Sequence, residues 1–89
     1  MKQYPKYNAI DMAPVEIRIR LIRAEVSQSD IARRLEVHPS LVCRVIDGLI
    51  VSDRVRRAIA EAIQTDVKAM WPSTYLYSQQ KNKKTAVNF

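Results

Sequence analysis

From residue 15 onward, apolar positions recur at helical spacing in short runs, divided by capping and helix-breaking residues. Val15 to Ala24 reads VEIRIRLIRA and puts Ile17, Leu21 and Ala24 on one helical face. The same stretch alternates apolar and basic residues over Ile17–Leu21, as a strand would. Helix is the better reading. Pro14 suits a first helical turn, where its missing N–H is not needed, Glu16 favours the positive end, and no hairpin turn follows. Ser27 is placed to cap a second helix, Gln28–Leu35, and Asp30 three residues on comes close to completing a capping box. Glu36-Val37-His38 interrupts the pattern, and Pro39 opens a third helix with the stripe Leu41, Val42, Val45 and Ile46, ended by Asp47-Gly48. Beyond the connector Leu49-Ile50-Val51, Ser52 caps a fourth helix with Val55, Ala58, Ile59, Ala62 and Ile63 along one face. Asp66 caps a last short helix closed by Trp71-Pro72, because proline disfavours helix in the residue before it. The pattern predicts an all-α domain over residues 14–72 with five helices, about 14–25, 28–35, 39–47, 53–64 and 67–71. Residues 1–13 read as an irregular arm whose Tyr4 and Tyr7 are candidates for docking on the body. Residues 73–89 read as a basic, flexible tail.

Composition narrows the function. A chain of 89 residues, 47% of them apolar, fits one small core with tails. It has one glycine where roughly 6 would be average, which argues against turn-rich β architectures and Gly-rich phosphate loops. Cys43 has no second cysteine for a disulfide or a thiolate zinc site, and His38 is the only histidine. No metal and no cofactor are expected. No run approaches the ~20 apolar residues of a membrane span, and MKQYPKYNAI lacks the apolar core of a secretion signal. A cytoplasmic protein is therefore expected. No paired carboxylates, nucleophile–base arrangement or metal spacing stands out, so neither an enzyme nor a small-molecule substrate is expected. The net charge of +6 calls for an anionic partner, most commonly nucleic acid. Residues 14–72 carry ten basic and eight acidic side chains, so specificity there must come from the placement of charge.

Helices 28–35 and 39–47, joined by three residues, have helix-turn-helix spacing. Such a pair crosses closely and needs a small residue at the contact, which Ala32 supplies. Ile31, Leu35, Val37, Val42 and Val45 would fill the space between the helices. The second helix must then present short or polar side chains outward near its N-terminus, where base edges lie. Pro39, Ser40, Cys43 and Arg44 are placed to do so.

Residues 26–48, VSQSDIARRLEVHPSLVCRVIDG, resemble the helix-turn-helix of lambda-repressor-like phage regulators at Ser27, Gln28, Ile31, Ala32, Leu35, Val37, Ser40, Val42, Val45, Ile46, Asp47 and Gly48. The segment that follows, with IAEAI, a short helix and Trp71-Pro72-Ser73, is similar to the Ner-type DNA-binding proteins of Mu-like phages. The resemblance covers about residues 15–75. It implies a five-helix lambda-repressor-like DNA-binding domain and a phage or prophage regulator of transcription, a repressor more often than an activator. Double-stranded DNA would be the partner, bound by helix 39–47 in the major groove, and the protein would be bacterial and nucleoid-associated. Three positions depart from the family pattern: Glu36 and Gln64 stand where relatives carry glycine, and Pro39 replaces a polar residue that many relatives use to read adenine. Glu36 would need a left-handed backbone at some strain.

Each candidate residue has a functional and an ordinary reading. Arg44 is a base reader, a phosphate contact or a solvated arginine. Ser40 contacts DNA or serves as a local cap. Gln28 would clamp a phosphate at the head of its helix, and His38 would contact phosphate or only cap. Cys43 touches a thymine methyl, acts as a redox switch or is a half-buried inert thiol. Arg33, Arg34, Arg54, Arg56 and Arg57 are expected on exposed faces, one or two of them reaching phosphate, with Arg57 paired to Glu61. Trp71 reads as a core closer. Lys81, Lys83 and Lys84 track phosphate or only solubilise a tail that spans ~20–25 Å as a coil. Other classes stay open: an accessory DNA-binding module of transposition or recombination, and a helical protein-interaction module without specific DNA affinity. A homodimer on a palindromic site would read half-sites about ten base pairs apart, yet no long heptad or evident exposed apolar helix announces a dimer surface.

Overall fold

The computed structural model describes residues 11–77. Tyr4, Tyr7, Lys81, Lys83 and Lys84 lie outside the described residues. Within them the chain is all-helical. The segments are α1 (Pro14–Ala24), α2 (Gln28–Leu35), α3 (Pro39–Ile46), α4 (Asp53–Ala62), α5 (Val67–Met70) and a last π-helical turn, Ser73–Tyr77. No helix among the described residues is long and apolar enough to cross a membrane.

Local chemistry accounts for most boundaries. Pro14 sits in the first turn of α1. Ser27 and Asp30 close a capping box on α2, with the Asp30 amide donating to Ser27 Oγ at 2.9 Å and the Ser27 amide to Asp30 Oδ2 at 3.0 Å. Ser52 accepts from the Val55 amide at 3.3 Å and Asp66 from the Lys68 amide at 2.9 Å. Four helices end earlier than the apolar pattern suggested, α5 at Met70 with Trp71 as its C-cap. Glu25 leaves α1 with φ of 59°, Asp47 is the C-cap of α3, and α4 stops at Ala62, two residues before Gln64 turns to φ of 55°.

Residues 73–77, expected to belong to a flexible tail, are instead folded onto the body. Tyr75 is buried and its hydroxyl donates to Asp53 Oδ1 at 2.6 Å, which pins the π-turn to the start of α4. Asp11 accepts from the Ser73 amide at 2.9 Å and from its hydroxyl at 2.5 Å. The Met12 amide donates to the Met70 carbonyl at 2.8 Å. The packed body therefore extends past 14–72 at both ends.

One core joins all the segments: Ile17 and Leu21 of α1, Ile31 and Ala32 of α2, Val42, Val45 and Ile46 of α3, Val55, Ala58 and Ile59 of α4, then Val67, Met70, Trp71 and Tyr75. Helix α4 touches α2, α3 and α5, and so organises it. The alternation in α1 resolves into two stripes of one helix. Ile17 and Leu21 face the core, while Val15, Ile19 and Ile22 remain exposed.

Among the described residues three that are not glycine hold left-handed backbone: Glu25, Glu36 and Gln64, at φ of 59°, 60° and 55°. A Cβ there costs about 1–2 kcal/mol, while glycine adds chain entropy of roughly 0.5–1 kcal/mol. Glu36→Gly and Gln64→Gly should thus each stabilise by about 0.5–1 kcal/mol, visible as a Tm several degrees higher in a thermal melt.

Candidate nucleic-acid interface

Helices α2 and α3 are the most closely packed pair among the described residues. Ala32 is 1% exposed, and its carbonyl accepts from the Val37 amide at 2.9 Å. Glu36 makes the reversal possible with its left-handed backbone, and its amide donates to the Arg33 carbonyl at 3.2 Å. Ile31, Val42 and Val45 are buried beneath, with Leu35 and Val37 partly buried at the rim.

The head of α3 is built by three consecutive residues. His38 is the N-cap, and because Pro39 has no N–H the cap passes to the next amide. Nδ1 of His38 accepts from the Ser40 amide at 3.1 Å and lies 2.9 Å from Ser40 Oγ. His38, Pro39, Ser40 and Arg44 are all exposed. The structure places Cys43 differently. It is half-buried, with Sγ accepting from an Arg18 guanidinium nitrogen at 3.4 Å and donating to Asp47 Oδ2 at 3.7 Å. Arg18 in turn bridges to Asp47 at 2.8 Å, so the thiol belongs to the α1–α3 contact. Gln28 is half-buried at the first position of α2, and Arg33, exposed on the same helix, pairs with Asp30 at 3.1 Å.

Most other cations are already engaged. Arg20 pairs with Glu16 at 2.8 Å, Arg34 with Glu61 at 2.6 Å and Arg57 with Asp53 at 2.8 Å. The expected Arg57–Glu61 pair is not formed. Helical side chains lean toward the N-terminus, so Arg57 turns back to Asp53, and Glu61 is met by Arg34 from α2. Arg54 donates to the Leu35 carbonyl at 2.7 Å and closes the C-terminus of α2. Arg56, expected on the surface, is 5% exposed. Its guanidinium lies 4.8 Å from the centre of the Trp71 ring and donates to Thr74 Oγ1 at 3.0 Å. Among the described residues this leaves Arg23, Arg44 and Lys68 with neither a carboxylate partner nor another side-chain hydrogen bond. Of the three, Arg44 alone stands on α3.

Three carboxylates are held below their ordinary range. Asp47 is lowered by the Arg18 hydrogen bond, Asp53 by the Tyr75 hydroxyl and then Arg57, and Asp30 by the Ser27 amide and hydroxyl and then Arg33. A carboxyl whose folded pKa lies below its unfolded value, about 3.9 for aspartate, stabilises the fold at higher pH and loses that contribution as pH falls through the folded value. Stability should therefore be flat near neutrality and decline below about pH 4. Asp47→Asn should flatten that acid limb in a series of melts.

Compared with protein families, with curated proteins and with solved structures, the chain matches none.

Proposed function

We propose that this protein binds double-stranded DNA sequence-specifically and regulates transcription as a repressor, as a lambda-repressor-like helix-turn-helix domain similar to the Ner-type proteins. Helix α3 enters the major groove and α2 crosses the backbone. Arg44 and Ser40 face base edges, with Pro39 beside them. His38, Gln28 and Arg33 lie along the phosphates, and Arg33 exchanges its bond to Asp30 for one to phosphate. Lys81, Lys83 and Lys84 add to the electrostatic attraction, and Cys43 supports α3 from behind.

The observation that carries this reading is the contrast in arginine use. Nearly every arginine described is spent on an ion pair, a helix end or an aromatic face, whereas Arg44 stands exposed and uncommitted on the helix that follows the three-residue turn. An arginine with five free donors is suited to bidentate recognition of guanine. Fluorescence anisotropy on random and on selected duplexes, at two salt concentrations, tests the proposal. The expected result is a selected site bound at least about a thousandfold tighter than random DNA, with log K falling linearly in log salt. Weak binding indifferent to sequence would overturn it.

A further inference from the structure

Helix α1 carries an apolar stripe that the core does not use. Val15, Ile19 and Ile22 are 64%, 37% and 74% exposed, on the side away from buried Ile17 and Leu21. Val15, Ile19 and Ile22 all lie within α1, four and three residues apart, which is the spacing of a coiled-coil seam. Among the described residues no segment covers the three exposed members.

The charges beside the seam indicate what covers it. Glu16 and Arg23 flank one edge, and Arg18 and Glu25 the other. If a second copy lay parallel, Arg18 would meet Arg23 of that copy, a like-charge contact. If the second copy lies antiparallel, each edge faces its own kind. Glu16 then meets Arg23 of the other copy, Arg23 meets its Glu16, and Arg18 meets its Glu25. Every flanking contact becomes attractive, and Ile19 packs on Ile22 across the two-fold axis. Arg18 is already bridged to Asp47 and Glu16 Oε2 to Arg20, but Arg23 has no carboxylate partner among the described residues and can meet Glu16 of the second copy at its other oxygen.

We propose that the protein self-associates through α1 as an antiparallel, two-fold symmetric pair, with Val15, Ile19 and Ile22 as the dry strip and Glu16–Arg23 contacts setting its direction. Isologous contacts of this kind close on themselves. The pairing needs no DNA and stands apart from the function proposed above. The strip is only two helical turns long, which puts the interface in the weak, concentration-dependent class.

Sedimentation equilibrium on the full chain, up to about 1 mM protein, provides the test. The wild type should show a monomer–dimer equilibrium. Glu16→Arg and Arg23→Glu each create two like-charge contacts and should weaken association at least about tenfold. An equal mixture of the two variants should recover wild-type association, because every contact in the mixed pair is again opposite in sign. A defect in folding would not be repaired by mixing. Ile22→Ser, which changes no charge, should abolish pairing with the helical circular dichroism unchanged. A wild type that stays monomeric throughout would overturn the proposal, including the case in which a different protein covers the strip. So would single variants that associate as the wild type does, or a mixture that recovers nothing.

Discussion

Arg44→Ala is expected to lower affinity for a selected duplex by about 5- to 150-fold per half-site, the equivalent of ~1–3 kcal/mol at tenfold per 1.4 kcal/mol. The same change should cost random duplex only what one phosphate contact is worth. The asymmetry follows from position. Arg44 is exposed on α3 and makes no ion pair among the described residues, so its removal leaves no buried partner behind and should not disturb the fold. Arg44→Lys separates base reading from charge. Lysine keeps the positive charge but not the planar fork, so random-DNA affinity should survive while discrimination falls. Arg33→Ala should behave in the opposite way, weakening selected and random duplexes alike and reducing the salt slope by about one. Equal losses on both duplexes for Arg44→Ala would make it a phosphate contact and move base reading elsewhere.

The second large effect concerns the support beneath that surface. Ile59 has no solvent exposure and sits on α4, the helix that touches α2, α3 and α5. Ile59→Ala removes buried methyl groups and leaves a cavity that the surrounding helices can fill only in part. The expected cost is about 2–5 kcal/mol. A domain of this size has a total stability of only about 3–10 kcal/mol. The variant should therefore lose roughly 10–30 °C in Tm and shift its urea midpoint sharply at unchanged m-value. Ile22→Ala, on the exposed stripe of α1, should stay within about 0.5 kcal/mol in dilute solution. Similar losses for the two would mean that the core is less tightly filled than the burial indicates.

Much of the architecture was legible along the chain. Caps at Ser27, Ser52 and Asp66 and first-turn prolines at 14 and 39 act within one helical turn, so their residue types announce helix starts. The apolar faces of α2, α3 and α4 were equally readable, because a helix with one buried side repeats at its own period. Helix ends were harder. Glu25 and Gln64 take left-handed backbone without the glycine that signals it, so the pattern ran on past the true ends. In α1 the apolar residues serve two faces at once. Their sum looked like alternation, and the outer stripe was invisible until the inner one was known.

The fates of the arginines were not legible. Arg34 meets Glu61, Arg18 meets Asp47, and Arg56 stacks on Trp71, each across a separation in sequence that no local rule spans. The buried Tyr75 hydroxyl on Asp53 likewise turns part of an expected tail into core. The sequence by itself determined an all-helical body over the described residues, most helix starts, the buried faces of α2, α3 and α4 and the small residue at the α2–α3 crossing, since capping, proline geometry and amphipathic period are local. Only the tertiary structure decided which cations are committed and which stand open, that Cys43 faces Arg18, and that α1 keeps a second apolar face in solvent. Those outcomes depend on which helix packs against which, and electrostatic pairing and burial are set at that level.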